Sequence, residues 1–363
     1  MAFGKWCRNN LMLCAALAAA VVTAFFVPPD AAYADYYDWR TLSCLTAVLA
    51  VVCAFRNIGV FSFFAQRLLL AFATVRSVVM VLVLITLVGS MLLTNDTALL
   101  TFLPLSWFVL AAAGQTKYVA LTFILQNCAA NLGGMLTPFG NPQNLYLFSY
   151  YEIPAVEFFA VMLTPFALSV GLILLCCLLV RKEPLLVAEK ELAVNLPKTV
   201  VCSLLFILAV AMVLRVVWYP VGLAVIVLVL LFFDRSALKN VDWCLLLTFA
   251  AFFTFSGNMA RIGAVCDFFG GLLSYGVTLV SALTSQVISN VPAAILLSRF
   301  TADYQGLLVG VNIGGAGTLV ASLASLITFR EFSRCLPKQT GVFLRLFTVI
   351  SFGFLFILLL VFA

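Results

Sequence analysis

Asn131-Leu132-Gly133-Gly134-Met135-Leu136-Thr137 decides the fold, because the chain carries it twice. Its echo is Asn312-Ile313-Gly314-Gly315-Ala316-Gly317-Thr318. The agreement runs on past each copy. Asn141 and Asn144 follow Thr137 by four and seven residues, and Ser322 and Ser325 follow Thr318 at the same offsets. Upstream of each stands a small polar pair, Thr94-Asn95 and Ser289-Asn290. Neither copy can sustain a regular helix. Glycine costs about 1 kcal/mol in a helix interior and proline about 3, and Pro138 and Pro142 flank Gly140 in the first copy.

These breaks interrupt apolar runs. Of 363 residues, 65% are hydrophobic and 9% charged, against about 25% charged in a soluble domain. A soluble enzyme, a disordered chain and a single-anchor protein are excluded. The apolar runs are continuous and do not alternate, so a β-barrel is not expected. The expectation is an all-α polytopic membrane protein, at about 20 residues per crossing. The net charge of +6 is scattered. No basic run interleaves with aromatics, so nucleic acid is not an expected partner. There is no histidine, the commonest general base and metal ligand. The 11 cysteines form no Cys-x-x-Cys and read as small apolar helix residues.

Runs between charges predict crossings near 11–27 and 41–54, then a mixed interfacial stretch at 55–77. A 36-residue apolar stretch, 78–113, is interrupted at Thr94-Asn95-Asp96-Thr97. Crossings follow near 118–150 and 157–180, and a charged loop spans 181–198. Further crossings lie near 199–215, 218–233 and 241–259. The stretch 268–300 has a polar centre at Ser289-Asn290, and 306–329 and 341–363 finish the chain. With the N-terminus in the cytoplasm, fifteen of the 20 basic residues fall on the cytoplasmic side. Arg40, Arg215, Arg261 and Arg299 fall outside, and Arg345 lies in the last helix. A rival reading takes Lys5, Arg8, the first apolar run and Ala32-Tyr33-Ala34 as a cleaved signal peptide.

Five crossings separate the two polar pairs. Five is odd, so the second copy enters the membrane from the opposite face, as in the inverted repeats of secondary transporters. The stretches 78–113 and 268–300 read as re-entrant hairpins, and 118–150 and 306–329 as broken helices. About nine transmembrane helices accompany them. The first repeat spans 1–180, 199–217 is a linking helix, and 218–363 is the second repeat. A break at membrane depth frees backbone N–H and C=O groups, tolerated only in protein or a water-filled cavity. Such groups hold ions or substrate, and Asn141, Gln143 and Asn144 add side-chain donors and acceptors. The candidate site is Thr94, Asn95, Asp96, Thr137, Gly140, Asn141, Asn144, Ser289, Asn290, Gly314, Gly315, Thr318, Ser322 and Ser325. The plain alternative is close helix packing at the glycines.

Asp96 is the one carboxylate read near mid-membrane, where a charge costs at least about 2.5–3.5 kcal/mol. It is a candidate for carrying a proton or binding sodium. Its alternative role is to cap the second hairpin arm.

As a set, Thr94-Asn95-Asp96, Asn131 through Asn144, Val241-Asp242-Trp243, Ser289-Asn290-Val291-Pro292 and Gly310 through Gly314 resemble the ion transporter superfamily. That group includes citrate and other carboxylate transporters, divalent anion–sodium symporters, arsenite permeases and some sodium–proton antiporters. The resemblance covers about 41–363. It implies two hairpins entering from opposite sides, two broken helices and a homodimer, with Asn95 and Asn290 matching the tip asparagines that meet cations and substrate and Asn141, Asn144, Ser322 and Ser325 matching the broken helices. With Asp96 added from its depth, sodium is expected at Asn95, Asp96 and Asn290. The tips Thr-Asn-Asp and Ser-Asn-Val depart from the family's Ser-Asn-Thr and look more like the arsenite permease and antiporter branch. No phosphate-binding Gly-x-x-x-x-Gly-Lys-Ser/Thr run is present. The expected function is secondary transport of a small anion or oxyanion across the plasma membrane, the inner membrane of the cell, not enzymatic catalysis. No cofactor is expected beyond a coupling sodium ion or proton. Sodium–proton exchange is the rival, and a non-transporting membrane scaffold is the rival of another class.

Overall fold

The computed structural model describes residues 11–69, 71–185 and 195–363. Lys5, Arg8 and residues 186–194 of the charged loop 181–198 lie outside the described residues. The described residues form eighteen α-helices and no strand. In chain order they are α1 (Leu11–Phe26), α2 (Trp39–Ile58), α3 (Val60–Leu69), α4 (Val75–Leu93), α5 (Asn95–Ala112) and α6 (Val119–Gly133). Then come α7 (Pro142–Tyr150), α8 (Ala155–Cys177), α9 (Leu196–Val213), α10 (Tyr219–Phe233), α11 (Arg235–Lys239) and α12 (Trp243–Met259). The last six are α13 (Gly263–Leu273), α14 (Val277–Ile288), α15 (Asn290–Leu297), α16 (Tyr304–Ile313), α17 (Leu323–Cys335) and α18 (Thr340–Phe362).

Seven described helices are long and apolar enough to cross a membrane, or eight if one bent pair counts as a span. This all-α polytopic architecture is the expected one, with fewer full-length spans than about nine. The shortfall has a local cause. The stretch 306–329 is split in two, and α1, α10 and α12 have only 16, 15 and 17 residues. Two of the seven are the hairpin arms α4 and α5.

The helices start where sequence chemistry lets them. Asp38 and Asp242 each precede a Trp and cap α2 and α12 by accepting the N–H of Thr41 and Leu245, both at 2.9 Å. Asn195 caps α9 and Asp303 caps α16 in the same way. Proline opens α7, α9 and α10, where its missing N–H costs nothing.

The two halves interlock. Helix α1 packs chiefly along α12, and α10 along α2, so each pairs with a helix from the other half of the chain. The first hairpin, α4–α5, packs on α6, and α14–α15 packs on α16. Beyond each break the chain crosses over, with α17 packing on α5 and α6, and α7 on α15 and α16.

Two boundaries differ from expectation. The second hairpin is only α14 and α15. Residues 268–273 belong to α13, which bends 98° away from α12. Helix α3 holds the corresponding place after α2. The hairpins also differ in length. Arms α4 and α5 have 19 and 18 residues and could each cross by length, whereas α14 and α15 have 12 and 8. At 1.5 Å per residue an eight-residue arm spans about 12 Å, too little for a bilayer core of about 30 Å.

Candidate functional site

The two hairpin tips adopt one backbone conformation. Thr94 has φ 87° and ψ 146°, and Ser289 has φ 77° and ψ 153°. This region is all but reserved for glycine and costs a side-chain-bearing residue about 1–3 kcal/mol. Surrounding contacts enforce it, and they match in both halves. The Asn95 N–H donates to the Gly140 carbonyl at 3.1 Å, and the Asn290 N–H to the Ala321 carbonyl at 2.9 Å. Asn95 Oδ1 accepts from the Asp96 N–H at 2.9 Å, and Asn290 Oδ1 from the Val291 N–H at 2.9 Å. The Thr137 hydroxyl donates to the Met91 carbonyl and the Thr318 hydroxyl to the Gln286 carbonyl, each three residues before its tip. Both threonines therefore hold tip to break.

The breaks lie where the glycines predict. Helical structure stops at Leu136 and resumes at Pro142, and stops again at Ile313 and resumes at Leu323. Across the centre the halves trade side-chain bonds. Asn141 Nδ2 donates to Asn312 Oδ1 at 3.2 Å, while the Ser322 hydroxyl donates to Asn131 Oδ1 at 2.7 Å. Asn312 Nδ2 donates to Asn144 Oδ1 at 2.6 Å, and Gln143 Nε2 to Asn312 Oδ1 at 3.3 Å. Asn95 Nδ2 reaches Asn131 Oδ1 at 3.3 Å. Asn144 Nδ2 also donates to the carbonyls of Met135 and Thr137, freed by the first break, at 3.0 and 3.2 Å. Ser325 accepts from Asn127 Nδ2 at 3.2 Å.

One small cavity, about 20 Å³, lies at the tips. Asn95, Asp96, Ser289, Asn290 and Ser322 line it, with Pro142, Val291, Thr248 and Met12 among their neighbours. It has room for one water or one ion. Its described lining has one carboxylate and no basic side chain. The Asp96 Oδ1 is buried without a hydrogen-bond partner among the described residues. The capping reading of Asp96 does not hold, because its buried oxygen accepts no hydrogen bond and no N-cap side chain caps the start of α5.

The glycines have different duties. A Cβ on Gly315 would sit 3.1 Å from Asn290 Nδ2, so Gly315 lies at the second tip. A Cβ on Gly140 would overlap the Gly134 carbonyl, so Gly140 closes the break on itself and faces no opening. A Cβ on Gly314 would come 2.8 Å from Ala282 Cα, so Gly314 seats α16 on α14. At Gly314 the packing reading holds. Asn127, Asn131 and Asn312 are buried parts of the network that the candidate site left out. A signal existed for Asn127. It stands four residues before Asn131 and therefore on the same helix face.

Three of the four arginines that break the charge bias are tied down. Arg215 donates to the carbonyls of Phe148 and Glu152 at the end of α7, at 2.7 and 2.9 Å. Arg261 pairs with Asp30 at 2.7 Å and bonds the Tyr36 hydroxyl, and Arg299 donates to the Tyr36 carbonyl at 3.0 Å. The Arg261 guanidinium holds the Asp30 carboxyl below its usual range.

Membrane-spanning helices around a buried, twice-broken polar centre define a membrane transporter. Comparison with known proteins gives the family. The citrate transporter family model matches residues 5–306, and the chain belongs to that family. An uncharacterized transporter of Methanocaldococcus jannaschii is 31% identical over 294 residues, covering 81% of each chain. An inner membrane protein of Escherichia coli is 31% identical over 331 residues, covering 85% of this chain and 84% of its own. A silicon efflux transporter of Oryza sativa is 32% identical over 167 residues, covering 44% of this chain and 34% of its own.

Proposed function

We propose that the chain is a secondary transporter that couples a sodium or proton gradient to movement of a small anion or oxyanion. One observation carries this reading. Two tips and two breaks, far apart in sequence, converge on a single buried cavity lined by amides, hydroxyls and one carboxylate. Helix breaks at depth are where freed backbone and polar side chains hold ions and substrate. Sodium or a proton belongs at Asp96, with Asn95 and Asn290 completing a sodium site. The matched tip contacts, together with the odd crossing count read from the sequence, support two inverted repeats. The protein sits in the plasma membrane with its N-terminus in the cytoplasm, and it works as a homodimer.

The described cavity lining has no arginine or lysine to neutralise several carboxylates. This favours a small, weakly charged oxyacid, in the class of the silicon carried by the Oryza sativa relative, over citrate. One observation also favours sodium–proton exchange. The cavity as it stands has room for an ion but not for a larger solute, and its carboxylate oxygen has no partner among the described residues. Purified protein in liposomes, assayed for citrate, succinate, sulfate, arsenite and silicic acid against imposed sodium and proton gradients, separates the readings. Gradient-linked solute flux supports the symporter. Sodium flux that moves protons without solute supports the exchanger, and no flux at all sinks both.

A further inference from the structure

We propose that the outer face of the first hairpin binds an anionic phospholipid, with its phosphate at Arg56 and one acyl chain along α4. The site has two joined parts. An apolar trough of about 320 Å³ runs between α3 and the hairpin, lined by Phe61, Phe64, Leu84, Val88, Leu92 and Phe102. Phe61 is also a wall of a second, more polar pocket of about 150 Å³, where Arg56, Ser62 and Thr101 stand. An apolar trough ending at a cation and two hydroxyls has the shape and polarity of a lipid, not of the solute.

Charge complementarity names the occupant. Arg56 is exposed, ends α2 and makes no ion pair among the described residues. The Thr101 hydroxyl donates to Thr97, leaving its oxygen to accept, and no described group engages the Ser62 hydroxyl. A basic residue beside an amphipathic helix attracts anionic headgroups, and α3 is strongly amphipathic, with Phe61 and Phe64 turned to the trough.

The depth agrees. Thr101 lies seven residues beyond Thr94 at the tip and Leu84 ten residues before it, about 10 and 15 Å along their helices. Leu92 lies two residues from Thr94. The trough therefore runs about 15 Å along the first hairpin from its tip, half the thickness of a bilayer core. Its floor is built for contact. A Cβ on Gly89 would sit 2.5 Å from the Phe102 ring, so glycine lets that ring pack on α4. Phe64 and Val88 are 63% and 52% exposed, so the trough is uncovered by the chain itself.

The test measures lipid retained by the purified full chain. Protein is reconstituted in vesicles of equal phosphatidylglycerol and phosphatidylcholine, re-extracted in detergent, and its bound lipid quantified by native mass spectrometry. Retained phosphatidylglycerol should exceed phosphatidylcholine about fivefold, the factor for the roughly 1 kcal/mol that one basic residue gains at an anionic surface. Arg56→Gln should bring the ratio to about one. Val88→Trp should reduce both lipids by filling the trough. Equal retention in the wild type, or a preference that survives Arg56→Gln, overturns the proposal. Cross-linking between copies through a cysteine at position 64 assigns the trough to a second chain and overturns it as well.

Discussion

Asn141 and Asn312 stand 171 positions apart in the chain, yet Asn141 Nδ2 donates to Asn312 Oδ1 at 3.2 Å. Asn312 is the hub of the centre. It accepts from Asn141 and Gln143 and donates to Asn144 and its own helix. Asn312→Leu keeps the branching at Cγ and removes three side-chain partners. At about 0.6–1 kcal/mol for each polar contact inside a membrane protein, the loss is roughly 2 kcal/mol. Thermal unfolding in detergent checks this, and an unchanged midpoint would show that the network is not structural.

The tips should be neighbours in the working protein. Asn95 and Asn290 share one cavity wall. Cysteines at 95 and 290, in a background without the native cysteines, should join through a short bifunctional reagent. Cysteine at 290 paired with one at Gly271, which faces open space on α13, should not.

Asp96→Asn should insert and fold but lose its response to the sodium or proton gradient. The buried Oδ1 has no hydrogen-bond partner to lose, so stability should change little. Transport that keeps its dependence on sodium and pH in the variant would remove Asp96 from coupling.

Gly140→Ala separates structural from lining glycines. Its Cβ would overlap the Gly134 carbonyl, whereas one on Gly263 meets nothing within 4 Å. Overpacking costs about 1–3 kcal/mol. The first variant should unfold at lower temperature and lose transport, and Gly263→Ala should do neither.

Acid should loosen the clasp beside the first hairpin. Glu183 accepts from Lys117 Nζ at 2.8 Å, and its carbonyl accepts the Val75 N–H at 2.9 Å. The Lys117 hydrogen bond holds the Glu183 carboxyl below its usual range. The folded value lies below the unfolded one, so this stabilisation is present above the ordinary glutamate range of about 4.3. It fades as pH falls through the depressed value. Melting curves from pH 7 to pH 3 should converge for wild type and Glu183→Gln; parallel curves would sink the assignment.

The sequence alone determined the class and the breaks. Long apolar runs with 9% charge can be stable only in lipid, and Gly-Gly followed by Pro-x-x-x-Pro within ten residues strongly disfavours a continuous helix. The doubled spacing of Asn, Gly and Thr marked both breaks and both tips, because local backbone preference is written in local residues. It could not say which glycine packs and which lines the cavity. Gly314 and Gly315 are adjacent in sequence, yet one seats α16 on α14 and the other meets Asn290. It also could not show that Asp96 caps nothing, or that Asn127, Asn131 and Asn312 carry the centre. Those assignments depend on which helix arrives opposite. Tertiary packing alone sets that, by carrying the far side of each break across to the other half of the chain.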